Sequence, residues 1–330
     1  MFRDIIKKKD MSSIFVIDDD ENGKNIEAEL TETSNETVKN YNSTIKYMKK
    51  HGIKISTITL DCKLKVDIKL DKFAEHIILD HDGIVSIKYG GRKDAKTNRS
   101  IVVFKGNKNG KQTAFFNQAT IRMKSLINKD NGYMNIKVFN NGSLHITGCK
   151  NMEDFFDVTK RLIKILKTGI DIENDKGEKK HIKFVKNEKE CISCHDLNIR
   201  MINSDYNAGY KIDRNTLSKI LNEDYPDVKF KYDPSGGHAC VNIRYQSDTK
   251  KKPTSVFVFQ TGSVIITGAK KMNDIVGAHT FIQNILDKNK NYISIPIYDS
   301  ENINNILEEY KKSNRIKGSL FDQYKFTKQK

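Results

Sequence analysis

The sequence predicts an α+β fold made of two similar halves, each an antiparallel sheet covered by helices on one side. The first observation is a repeat. Residues 138–150 read VFNNGSLHITGCK and residues 258–270 read VFQTGSVIITGAK, aligned without a gap 120 residues apart. Each copy is an apolar run, a tight x-x-Gly-Ser turn, a second apolar run and an exit turn, the signature of a β-hairpin. The second observation is that each copy leads into an amphipathic helix, and a chain that repeats such a unit reads as a tandem of related halves.

The elements follow in order. Residues 1–50 are polar and acidic, with few side chains able to build a core, and read as a mobile tail with room for a short helix around 36–50. Residues 53–60 are β-branched and partly alternating, a strand. Asp71 is positioned to cap a short helix over 72–79. Strands are expected at 84–89, 100–104 and 115–123, separated by basic turns, and then comes the hairpin 133–149. The helix over 153–168 has Phe155, Phe156, Val158, Leu162, Ile163, Ile165 and Leu166 on its core stripe, with its lysines and Arg161 elsewhere.

A charged connector with a strand-like 182–185 leads to the restart. There a strand at 199–203, a helix after Asp213, strands at 227–232, 239–245, 254–260 and 263–267, and a helix at 272–287 repeat the plan. A strand-like 292–297, a helix about 301–313 and a basic end complete the chain. The resulting division is a tail (1–50), a first repeat (51–169) with a basic insertion of about 26 residues near 90–114, a connector (170–197), a second repeat (198–288) and a C-terminal extension (289–330).

Alternation assigns the faces of the hairpins. Ile136, Val138, Leu144 and Ile146 share one face with Val256, Val258, Val264 and Ile266 as its counterparts, and these aliphatic sets belong under the helices. The opposite face carries Lys137, Phe139, His145 and Thr147 in the first half and Phe257, Phe259, Ile265 and Thr267 in the second. An antiparallel sheet covered on one side should be polar on the other, so phenylalanines there mark a binding surface.

Charge points to the partner. The net charge is +16; residues 1–50 hold 9 basic against 10 acidic side chains, and the rest hold 49 against 32. The folded part therefore carries the excess, which favours a polyanion such as nucleic acid. No apolar run reaches the length of a membrane span, so no membrane partner is expected, and the early charges leave no room for a secretory signal. Five cysteines in 330 residues suit a reducing, intracellular compartment.

At these residues the chain resembles the TATA-box-binding protein family, over about 53–168 and 198–287. The motif Phe-x-x-Gly-x-x-x-x-Thr-Gly-x-Lys occurs in both halves; the family's usual alanine before the lysine is kept at Ala269 and replaced at Cys149. Residues 55–64 are similar to the family's first strand and its exit, and Tyr232 to Pro234 to the start of its second stirrup loop. The ends and long basic loops resemble a divergent version, such as those of large cytoplasmic DNA viruses.

The resemblance implies a ten-stranded, pseudo-two-fold saddle lying in the minor groove of A·T-rich promoter DNA, acting as a monomer and bending the duplex by wedging side chains between base steps. The family is itself a standing example of that mechanism. It further implies recruitment of RNA polymerase through a partner similar to transcription factor IIB, gripping the loop at Pro234, Ser235, Gly236 and Gly237. Carried over by position, Phe116, Phe139 and Phe259 fall on wedges, with His238 at the fourth. Ile53, Ile55, Thr57, Lys137, His145 and Thr147 in the first half, and Ile199, Met201, Asn203, Phe257, Ile265 and Thr267 in the second, fall on the groove floor. Ile53 and Ile199 stand where the family has its central asparagines. Lys54, Arg122, Lys124, Arg200 and Arg244 are the candidate phosphate contacts.

A second reading keeps the saddle but makes it a protein-interaction module, or an architectural protein that binds DNA without strict TATA choice. The spacing of Cys191, Cys194 and His195 matches haem attachment or half a zinc site, with His238 and Cys240 as the further ligands a zinc site would need. The reading without metal, two ordinary thiols and a turn histidine, is the one adopted. No nucleotide loop and no catalytic triad has supporting context, so the sequence predicts a non-enzymatic protein without a cofactor. The expected location is the host cytoplasm or virion for a viral protein, and the nucleus for a cellular one.

Overall fold

The computed structural model describes residues 35–90, 96–103, 116–127, 132–173, 177–186, 192, 194–246, 252–296, 304–305 and 308–309. The first half comprises β1 (Lys54–Leu64), α2 (Leu70–His76), β2 (Ile84–Gly90), β3 (Lys96–Ser100), β4 (Gln118–Lys124), the hairpin β5 (Tyr133–Phe139) and β6 (Ser143–Cys149), and α3 (Met152–Thr168), all preceded by α1 (Asn35–Lys50). The connector forms a small hairpin of β7 (Ile170–Glu173) and β8 (Lys179–Ile182). The second half comprises β9 (Cys194–Asn207), β10 (Lys211–Ile212), α4 (Arg214–Asp224), β11 (Phe230–Lys231), β12 (Cys240–Tyr245), the hairpin β13 (Thr254–Phe259) and β14 (Ser263–Ala269), and α5 (Met272–Lys288), followed by α6 (Lys290–Ile293) and β15 (Ser294–Ile295).

The two halves share one antiparallel sheet. Its strand order is β11-β12-β13-β14-β9-β1-β6-β5-β4-β2-β3, so β1 and β9 join the halves edge to edge. Ten of these strands form two mirrored sets of five, and β3 adds an eleventh at one edge. This corrects the ten-stranded expectation, and the reason lies in the insertion: β3 falls inside it and folds back onto β2. Its sequence, KTNRS, is polar and charged, which suits an edge strand. The sequence places this strand slightly late, at 100–104.

The core lies between the sheet and the helices. Ile136, Val138, Leu144, Ile146, Val256, Val258, Val264 and Ile266 are all essentially fully buried, as alternation predicts. Phe155, Val158, Leu162 and Leu166 of α3, and Ile275, Ala278, Ile282 and Leu286 of α5, fill the other side. Both helices start alike: Asp154 accepts from the Lys150 amide, and Asp274 from the Lys270 and Lys271 amides. These carboxylates satisfy amides that have no intrahelical partner. Asp213 caps α4 by accepting from the Asn215 and Thr216 amides. Asp71 does not act as a cap: α2 begins at Leu70, with Lys69 at the cap position.

Arg161 is also not a surface residue. It is buried on α3, pairs with Asp157 at 2.5 Å, and donates to the carbonyls of Asp82 and Lys124. The end of the expected tail is helical and docked. Met48 is buried, Thr44 donates to Asn273 at 2.9 Å, and Tyr47 Oη lies 2.9 Å from His279 Nδ1. Residues 1–34, where the rest of the expected tail falls, lie outside the described residues. The second repeat begins a few residues earlier than expected, with β9 starting at Cys194. The described start of the C-terminal extension packs beside α4 and α5, where β15 pairs with β10 and Ile293 is buried. Most of the helix expected at 301–313 lies outside the described residues. Among the described residues no helix is long and apolar enough to cross a membrane.

Candidate nucleic-acid interface

The face of the sheet opposite the helices is read from cross-strand pairs, because antiparallel partners point the same way. Across the first half, Ser86 pairs with Arg122 and Arg122 with Asn135; Lys88 pairs with Thr120, Thr120 with Lys137, Lys137 with His145, and His145 with Asp61. Across the second, Lys231 pairs with Asn242, Asn242 with Phe257, Phe257 with Ile265, and Ile265 with Asp205. At the join, Asn203 Nδ2 donates to Thr57 Oγ1 at 2.9 Å, and Thr267 Oγ1 lies 2.5 Å from Asn203 Oδ1 and 3.6 Å from Met201 Sδ. Thr57, Lys137, His145, Thr147, Met201, Asn203, Phe257, Ile265 and Thr267 therefore share the open face.

Ile53, Ile55 and Ile199 do not. Ile55 pairs with buried Ser204 and Ile199 with buried Leu60, so both turn toward the helices, and Ile53 is buried in the core. The cause is a pair of β-bulges that leave Ser56 and Arg200 unpaired. One extra residue reverses the alternation, which carries a side chain expected on one face to the other.

Phe139 and Phe259 are half-buried on the open face, each next to its hairpin turn. They hold matching positions: Phe139 pairs with Gln118, Phe259 with Cys240. Phe116, two residues before Gln118, is 52% exposed. His238, two residues before Cys240, differs. The Asp233 amide donates to its Nδ1 at 3.1 Å, and the His238 amide donates back to the Asp233 carbonyl. That ring is held within its own loop and is not presented as a wedge. Pro234, Ser235, Gly236 and Gly237 of this loop are exposed.

The open face is basic. Lys54, Lys63, Lys88, Arg122, Lys124, Lys137, Arg200, Lys231 and Arg244 outnumber the carboxylates Asp61, Asp196 and Asp205. Arg122 donates to Asn135 at 2.9 Å and Arg244 donates to Ser255, so both guanidinium groups are oriented by the strand beside them. Arg200 is not at the rim: its Nε donates to Asp61, on the floor. Asp61 and Lys63 are functional candidates that the strand reading misses by stopping at residue 60. The alternation Thr59-Leu60-Asp61-Cys62-Lys63-Leu64 carries the signal further.

Among the described residues no group of three or more His, Cys, Asp or Glu side chains is placed to hold a metal ion. Cys194 is buried beside Cys62, whose thiol is pushed up by that contact and by burial. Cys240 lies on β12, three strands from β9 in the sheet, and Cys191 lies outside the described residues.

A protein of Acanthamoeba polyphaga mimivirus named TATA-box-binding protein-like is 50% identical over 259 residues, which is 76% of this chain and 69% of that protein. The chain belongs to the TATA-box-binding protein-like family. No family model matches it. Among solved structures, Methanococcus jannaschii TBP is 19% identical with a TM-score of 0.42, covering 72% of this chain and 98% of that one. Within this TATA-box-binding protein-like chain the halves are unequal. The second hairpin presents Phe257 and Ile265, where the first presents Lys137 and His145.

Proposed function

We propose that this chain is a transcription initiation factor that grips A·T-rich duplex DNA in the minor groove with the open face of its sheet. It bends the duplex by inserting Phe139 and Phe259, with Phe116 assisting at the first end. The observation that carries the reading is the combination, on a sheet face that none of the described residues covers, of paired phenylalanines at matching positions and a surplus of lysine and arginine. Apolar wedges open base steps, and cations neutralise phosphates along the rim. Lys54, Arg122, Lys124 and Arg244 serve as the phosphate contacts. The exposed loop from Pro234 to Gly237 docks a partner similar to transcription factor IIB, which brings in RNA polymerase. The role is non-enzymatic, the chain acts on DNA as a monomer, and it works inside the cell wherever its template lies, the host cytoplasm for a viral chain.

The test is binding and bending of an A·T-rich duplex by the parent and by Phe139→Ala combined with Phe259→Ala. Loss of bending with at least tenfold weaker binding is expected, since each wedge buries a large aromatic surface. Unchanged binding and bending would instead support a protein-interaction saddle.

A further inference from the structure

The floor of the open face holds a polar recess whose carboxylate finds no donor on an A·T pair. Asp61 lies at its centre. His145 Nδ1 lies 2.5 Å from Asp61 Oδ1, and Arg200 Nε donates to Asp61 Oδ2. Around them, Lys137, Phe139 and Asn198 line an open cavity of about 550 Å³. The equivalent region of the second hairpin presents Phe257 and Ile265.

The chemistry of the groove makes this asymmetry informative. In the minor groove, A·T and T·A pairs display only acceptors, adenine N3 and thymine O2. Guanine adds the one donor, its 2-amino group. An ionised carboxylate is an acceptor only, with about four lone-pair sites. Two of those sites on Asp61 are taken by His145 and Arg200, which leaves capacity for another donor. Because an ionised carboxylate cannot donate, the His145 nitrogen facing it is the donor of that contact. Set against acceptor-only pairs, the remaining carboxylate sites would be desolvated without a donor, which is costly. Set against guanine they gain one, and the recess gives the protruding amino group room.

We propose that Asp61, held by His145 and Arg200, accepts a hydrogen bond from a guanine 2-amino group, so that the half-site under the first hairpin contains a G·C pair while the half-site under the second is A·T. This rests on the minor-groove reading above. It gives the complex a fixed direction on the duplex: the apolar second hairpin sits over A·T steps, and the Asp61 recess marks the other end. Arg200 is a positioning residue, holding the carboxylate in place while its charge offsets that of Asp61 against the phosphates.

The experiment walks a single G·C pair through an A·T-rich duplex and measures binding of the full chain by fluorescence anisotropy. It then replaces guanine by inosine, which lacks only the 2-amino group, and adenine by 2,6-diaminopurine, which adds that group to an A·T-type pair. Binding about tenfold tighter to guanine than to inosine is expected at one position in one half of the site, with diaminopurine reproducing guanine there. Asp61→Asn, close in shape, weakens the acceptor and should bring the guanine-to-inosine ratio toward one while A·T binding stays measurable. Because the readout is a ratio on one protein sample, partial misfolding of a variant does not mimic it. Equal affinity for guanine and inosine at every position, with A·T duplex bound, overturns the Asp61 assignment alone. No binding to any duplex overturns it together with the minor-groove reading. A guanine preference that persists in Asp61→Asn overturns the role of Asp61.

Discussion

Replacing Gly142 by alanine should cost about 3–5 kcal/mol, and the structure supplies each part of that figure. Gly142 sits at the turn of the first hairpin with φ of 77°. A Cβ there would lie 2.2 Å from the Leu64 carbonyl oxygen and 2.4 Å from that of Val66. Neither oxygen can withdraw easily, because both belong to the backbone at the exit of β1. The same approach lets the Leu64 amide donate to the Gly142 carbonyl at 2.8 Å. The left-handed backbone costs an ordinary residue about 1 kcal/mol, a buried amide left without its acceptor about 1–3 kcal/mol, and displacement of the turn adds to both.

Gly262 repeats the arrangement in the second half, with φ of 86° and a Cβ that would meet the Tyr210 carbonyl oxygen at 2.2 Å. The assay is urea unfolding of Gly142→Ala, Gly262→Ala and Gly52→Ala. Gly52 has φ of 64° but nothing within 4 Å of its added Cβ, so it isolates the backbone cost, about 1 kcal/mol. If Gly142→Ala proved no more destabilising than Gly52→Ala, the close approach of turn to strand exit would not be what fixes the hairpin. Since Phe139 and Phe259 adjoin these turns, both hairpin variants should also weaken DNA bending.

Arg161→Ala removes a buried cation that ties α3 to Asp157 and to the Asp82 and Lys124 carbonyls, and should destabilise by about 3–5 kcal/mol in thermal or urea unfolding. DNA affinity should fall steeply with salt, and Lys124→Ala should reduce the slope of log affinity against log salt by about 1, measured by anisotropy titrations from low to physiological salt. Burial, with His51 beside it, pulls His279 down to about 4 from its ordinary 6.5. A histidine held neutral this way adds stability at neutral pH. That contribution is lost as pH falls between about 6.5 and 4, where the unfolded chain binds the proton more readily. The loss should be partly removed in His279→Phe, and limited proteolysis across that range should show α1 released first, since Tyr47 contacts His279.

Much of this architecture follows from local rules visible in the sequence. The duplicated hairpin, the aliphatic face at Ile136, Val138, Val256 and Val258, and the start of α4 at Asp213 depend on period-two alternation, turn glycines and capping chemistry. Those act over a few residues, so one sequence determines them. Phe139 and Phe259 were legible for the same reason, because they alternate with buried valines. The insertion could be located by comparing the lengths of the halves.

What the tertiary structure decided are the features that depend on residues far apart in the chain. Bulges at Ser56 and Arg200 arise where β1 meets β9, and they turn Ile53, Ile55 and Ile199 inward; no alternation rule foresees a bulge set by the partner strand. Arg161 reads as a surface charge until Asp157 and two distant carbonyls surround it. Helix α1 reads as tail until α5 supplies His279 and Asn273. His238 reads as a wedge until Asp233 claims its ring. The Asp61–His145–Arg200 cluster joins three strands, separated by 84 and 139 residues along the chain, into one recess. Local sequence determines the conformation of each strand, but only the register between strands decides which charges meet on the floor of the groove.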